Sequence, residues 1–277
     1  MTHKIKPLRD TFPFFFSSFV FLFGSSISFG LNCLAPHSAI KMRSCLSPSG
    51  PFRKLQYQSR NSHADPKIHC YGCGILLLLI LYVYKCSSTK HATRTGIVLF
   101  SLMCNLICFT VFFLCHKRFN SNKDTSGIYF RLDHVGIIVH IWGTSISVLL
   151  LEVDDNRIYS DILSGMTLIG LLSTVFLLCL PLAKTHRIIV IGGFGTMSFL
   201  GVLSVLAKAS SISKISVSYA VMVLVNCIGA LPFLKLSGAR TQHQRTKHFM
   251  TPGHSFMHVC SLFASSVHGL VLAHSVC

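Results

Sequence analysis

Seven apolar runs, most of them close to the length of a membrane-crossing helix, fill the chain after residue 69. They cover residues 70–84, 95–115, 135–151, 162–182, 188–207, 215–234 and 256–276. A helix needs about 20 predominantly apolar residues to cross the hydrocarbon layer. The first and third runs fall short and must borrow flanking residues. The connections, such as AKTHR and AKASSISK, are short and polar. They leave no room for a separate soluble domain, and no internal repeat is visible. The expected fold class is all-α: a polytopic membrane protein, a seven-helix bundle over residues 69–277 behind an N-terminal leader over residues 1–68.

Composition agrees. Of the 277 residues 51% are hydrophobic and 12% charged, against about a quarter charged in soluble domains. The formal charge of +17 comes from 25 Lys and Arg against 8 Asp and Glu. A basic balance can indicate nucleic acid. Here the basic residues cluster between apolar runs, where membrane proteins carry their topology signals, so membrane lipids and not nucleic acid are the expected partners. The 12 cysteines include Cys104, Cys108, Cys115, Cys179, Cys227 and Cys260, singly placed inside apolar stretches. That is not a disulfide framework; most read as small buried apolar residues.

The leader is apolar in TFPFFFSSFVFLFGSSISFGL, with Lys4, Lys6 and Arg9 ahead of it. Three readings fit: a signal sequence or extra membrane segment, an organellar transit peptide, or a poorly ordered, dispensable extension. Basic residues orient the bundle. From residue 37 onward, 16 Lys and Arg fall on the side holding the segment before the first run and the loops 2–3, 4–5 and 6–7, against 6 on the other side. The positive-inside rule puts the richer side in the cytoplasm and the C-terminus outside. A cleaved secretory signal would deliver residues 37–68 to the outside, against their six basic residues, and is disfavoured.

On this topology His116 ends the second run, Asp133 opens the third, and His254 and His258 open the seventh. All four arrive at the cytoplasmic leaflet. Ionisable groups at membrane depth are costly and usually face a bundle interior or polar cavity. Positions i and i+4 share a helix face, so His254 and His258 can ligate one ion, with His116 as a third nitrogen. Neutral imidazoles suit Zn²⁺, with an open fourth position in catalytic sites. Zinc-bound water reaches a pKa of about 7. Asp133 would orient or deprotonate that water, or hold a histidine's other nitrogen. An interfacial histidine can also pack or hydrogen-bond without a metal.

RLDHVGIIVHIWGTSIS, residues 131–147, resembles the Asp-containing third-helix motif of the haemolysin III/PAQR family, which includes the adiponectin and progestin receptors. GHSFMHVC is similar to the family's HxxxH motif, and the spacing from His116 to Asp133 is similar to the family's. IHCYGCG around His69 faintly resembles its N-terminal motif, in which a His precedes Gly by three. The likeness spans about residues 65–277. It implies a seven-helix bundle with N-terminus in and C-terminus out, a zinc site near the cytoplasmic face held by His116, His254 and His258, and Asp133 as the water-orienting carboxylate. It also implies a receptor-like role with a lipid or small extracellular ligand, and hydrolysis of ceramide as in some members. One departure bears on the chemistry. The family pattern places Ser four residues before the second-helix His, where this chain has Phe112. That points to altered or lost hydrolysis with the metal retained. The family's acidic and Asn positions before the first helix are also unmatched, with Ser62 and Asp65 near where they would fall.

Other residues have plainer expectations. His140, seven after Asp133, is a hydrogen-bonding partner for a neighbouring helix or a deeper proton relay. Asn105 is expected to join helices by hydrogen bonding. His69, Cys70 and Cys73 suggest a metal cluster but lack a second Cys pair. His134 is expected to face the interface, and Trp142 to pack or to line a lipid cavity. Glycine-rich GGFGTMSFLG sits within an apolar run and implies close helix packing. Pro181 and Pro232 fall near helix ends. Three functions compete: a zinc-dependent lipid amide hydrolase, a receptor or scaffold with zinc pinning the helices, and a transporter using histidines as a proton relay. The last is disfavoured because no charged residue lies deep in any run.

Overall fold

The computed structural model describes residues 64–86, 92–119, 126–152, 156–180, 184–207, 213–238 and 252–277. The leader as far as residue 63 lies outside them. The described residues form seven helices: α1 (Ala64–Cys86), α2 (Ala92–Phe119), α3 (Ser126–Glu152), α4 (Asn156–Cys179), α5 (Lys184–Leu206), α6 (Lys214–Gly238) and α7 (Pro252–His274). No strand occurs among them. Each helix contains a span long and apolar enough to cross a membrane. Inside lipid a backbone satisfies its own N–H and C=O groups by coiling, so these runs have no extended alternative. The two short runs lengthen as required, α1 to 23 residues and α3 to 27. AKTHR is not wholly a connection, because α5 already begins at Lys184. Ser213 caps α6, its hydroxyl accepting the Ser216 N–H at 3.0 Å, and so satisfies one amide at the start of the helix.

α3 is the axis of the bundle. It packs on α2, α4, α5 and α6, while α7 closes the ring against α6, α1 and α2. The central 18-residue stretch of α3 is 78% buried, that of α1 only 22%. Two connections fix the levels. Near one end Arg131 of α3 donates to the Leu178 carbonyl at the end of α4, at 2.7 Å. At the other end Glu152 of α3 accepts from Ser216 of α6 at 3.2 Å.

Small residues decide how closely the helices approach. A Cβ on Gly143 would lie 2.4 Å from the Cys104 Cβ, and one on Gly229 2.7 Å from the Cys260 Cβ. Only glycine allows α2–α3 and α6–α7 to meet this closely. The glycine-rich run in α5 does less than expected. Gly192 and Gly193 face open space, and Gly195 and Gly201 make ordinary contacts. Pro232 lies inside α6, six residues short of its end; Pro181 lies outside the described residues. The outer surface is apolar, with Leu78, Leu81, Leu168, Ile189, Leu224 and Phe263 among its exposed side chains. Many of the buried residues are polar: Ser101, Asn105, Thr144, Ser145, Ser147, Ser265 and His268 lie inside.

Candidate metal centre at one end of the bundle

The first turns of α7 place His254 and His258 one above the other. Their Nε2 atoms are 2.9 Å apart and their rings nearly perpendicular, centroids 4.3 Å apart. Both are buried. Two ligands on a tetrahedral zinc, with Zn–N of about 2.0–2.1 Å, stand roughly 3.3 Å apart. The pair is within a few tenths of an ångström of that arrangement, so the donors fit a shared ion.

α1 brings a third imidazole. His69 is fully buried, its ring 4.5 Å from that of His258 and perpendicular to it. One turn on, Gly72 lets α1 close down, since a Cβ there would lie 3.0 Å from Leu262 and 3.1 Å from Phe109. A His followed three residues later by Gly therefore has a physical purpose: the two share a face, and the glycine admits the neighbours that the histidine meets. His69 does not form a cluster with the nearby cysteines. Cys70 is exposed, and Cys73 is within 3.6 Å of the Thr110 hydroxyl.

α2 supplies Phe112, buried, with its ring 4.8 Å from His258 and 5.4 Å from His69. It also meets α3, where a Cβ on Gly136 would lie 3.3 Å from it. The phenyl ring thus touches both α3 and the histidines. Asp133, one turn before Gly136, is buried, and its Oδ1 takes no hydrogen bond from a described residue. A buried carboxylate oxygen is costly without a donor. His116 lies one turn beyond Phe112 on the same face of α2; its side chain is outside the described residues. The end of α2 and the starts of α3 and α7 do meet at one level, as their order in the chain implies. Among the described residues no group of three His, Cys, Asp or Glu side chains surrounds a single point.

A family profile described as haemolysin-III related matches residues 58–269. The chain belongs to this family. The matched stretch contains every residue of the site, from His69 to His258. A comparison with curated proteins found no match. In this haemolysin-III-related chain the apolar ring expected at Phe112 packs against both His258 and His69.

His134 is buried and does not face the interface, because α3 is enclosed by four other helices. His140 and Asn105 do join helices, and they join each other, Nδ1 to Oδ1. Trp142 packs edge-on against Phe100 and donates to Thr167 at 3.1 Å. His268, absent from the sequence argument, is fully buried on α7, its Nδ1 2.9 Å from the Ser218 hydroxyl. Its signal was a third histidine in an apolar helix whose first turns already carry two.

Proposed function

We propose that this multi-pass membrane protein is a receptor-like signalling member of its family, in which zinc bound near the cytoplasmic face pins α7 to α2. Its ligand is a membrane lipid or small extracellular molecule, and the orientation is N-terminus in, C-terminus out. His254 and His258 would hold the ion through their facing nitrogens, with His116 as the third donor. Bound zinc supplies a fixed positive charge and, where water reaches it, an acidified water. The observation carrying this reading is Phe112. A buried phenyl ring packed against His258 puts an apolar surface beside the histidines. It also offers no hydroxyl to bind water or a substrate carbonyl. Asp133, buried one turn before Gly136, would balance charge.

A second reading, a lipid amide hydrolase, draws on the same Asp133. Its buried Oδ1, lacking a hydrogen bond from any described residue, is suited to take a proton from an attacking water. Quantifying metal in the detergent-purified chain and assaying ceramide turnover separates the two. Near-stoichiometric zinc with no turnover is expected; turnover at a rate abolished by Asp133→Asn would establish the hydrolase, and protein without zinc would end both. Phe112→Ser is expected to keep the metal and to give ceramide hydrolysis at least tenfold above the assay background seen with the wild type. An unchanged rate in that variant would show that the ring is not what closes the site.

A further inference from the structure

Four polar side chains on α3 mark a row of levels from one end of the helix to the other, Asp133 and His140 on one face and Ser145 and Glu152 on a face about 120° round. Nineteen residues separate its ends, about 29 Å at 1.5 Å per residue, close to the ~30 Å hydrocarbon thickness. Three members have a partner on another helix. His140 meets Asn105 of α2. Ser145 meets the Tyr219 hydroxyl of α6 at 2.7 Å. Glu152 accepts from Ser216 of α6 at 3.2 Å. α7 joins the row at its middle. His268 bonds Ser218 at 2.9 Å, its ring is 6.1 Å from that of Tyr219, and a Cβ on its neighbour Gly269 would lie 3.0 Å from Leu102, one turn before Asn105. Between His140 and the site end lies buried Cys108, whose backbone would be 3.5 Å from a Cβ on Gly136.

One pair of tautomers satisfies these hydrogen bonds. The Asn105 oxygen only accepts, so His140 donates from Nδ1. With the Ser218 proton on the Ile215 carbonyl at 2.9 Å, Ser218 accepts from His268 Nδ1–H at 2.9 Å. Each imidazole therefore presents Nε2 as a proton acceptor in the middle of the bundle. His268 Nε2 is buried with no partner among the described residues, as are Asn105 Nδ2 and the hydroxyls of Ser101 and Ser265. Ser101 lies one turn from Asn105, and Ser265 one turn from His268. Hydrogen bonding that merely joins helices accounts for the His140–Asn105 pair but not for four unpartnered groups beside it. Water, which both donates and accepts, satisfies all four. Chains of carboxylates and histidines inside a bundle mark proton routes.

We propose that this row is a proton path through the bundle, from the level of Glu152 by way of Tyr219, His268 and His140 toward the level of Asp133. At each imidazole a proton arrives at Nε2 from one water and leaves from the same Nε2 to the next water, while Nδ1–H stays on Asn105 or Ser218, so the side chain is regenerated unchanged. The path does not depend on the proposed zinc site.

Reconstitution of the full chain in phosphatidylcholine vesicles carrying an internal pH dye, with the membrane potential clamped by potassium and valinomycin, tests it. Proton flux under a pH gradient is expected at least tenfold above that of protein-free vesicles. Tyr219→Phe, which removes one oxygen and keeps the ring, is expected to lower it at least fivefold, as is His268→Leu; exposed His274→Ala is expected to leave it unchanged. Should His268→Leu fail to fold, Tyr219→Phe decides. Flux no greater than in empty vesicles overturns the proposal. So does flux unaltered by Tyr219→Phe, or sodium passage as fast as that of protons when tested without the clamp, which would indicate an open pore.

Discussion

His254→Ala and His258→Ala are each expected to strip the purified protein of its bound zinc, lowering affinity by at least about 100-fold. Losing only an outer partner that orients a ligand costs 10- to 100-fold, and these substitutions remove a direct donor. The two nitrogens already converge, 2.9 Å apart on adjacent turns of one helix, so either one alone forfeits the advantage of the pair. His274, exposed at the other end of α7, is the matched control, and His274→Ala is expected to retain full metal content. Elemental analysis after dialysis against a weak chelator gives the answer. Equal zinc in all three variants, or equal loss, would reject the ligand assignment.

The second large effect concerns packing. Gly143→Ala puts a methyl group 2.4 Å from the Cys104 Cβ and 2.6 Å from its sulfur. Neither helix can yield there without moving backbone, and α3 is held by four neighbours. Overpacking of this kind costs about 1–3 kcal/mol, which should appear as a lower melting temperature in detergent. Moving the side chain across the interface is the discriminating measurement. Cys104→Gly combined with Gly143→Ala is expected to recover most of the loss, giving a strong coupling energy in a double-mutant cycle. Additive effects would mean that the two helices do not meet at this point.

The architecture was legible because the hydrocarbon layer imposes one length scale on every run, and the sequence displays it directly. Helix ends were less so. Hydropathy reports where a segment leaves the lipid, not where its helix stops, and α1 and α3 continue through polar residues such as Lys67 and Arg131. His254 and His258 were legible because their relation is internal to one helix. His69 was not, because its meeting with His258 depends on how α1 is rotated against α7, and the nearby Cys70 and Cys73 suggested a different cluster. His134 was misplaced by assuming that a helix always keeps an outward face; α3 at that height has none. The sequence marked Phe112 as a departure, but only the packing of three helices shows its ring against both Gly136 and His258.

The apolar exterior and hydroxyl-rich interior reverse the usual geography of constraint. On a water-soluble domain, variation concentrates on the outside and oily residues are guarded within. Here Leu78, Leu168 and Leu224 face a solvent of the same character as themselves and can drift among aliphatic types at little cost. Ser145, Ser218 and Asn105 have partners to lose. A saturation map of every substitution should show greasy positions as permissive and small hydrophilic ones as intolerant, a photographic negative of the pattern for a cytosolic enzyme.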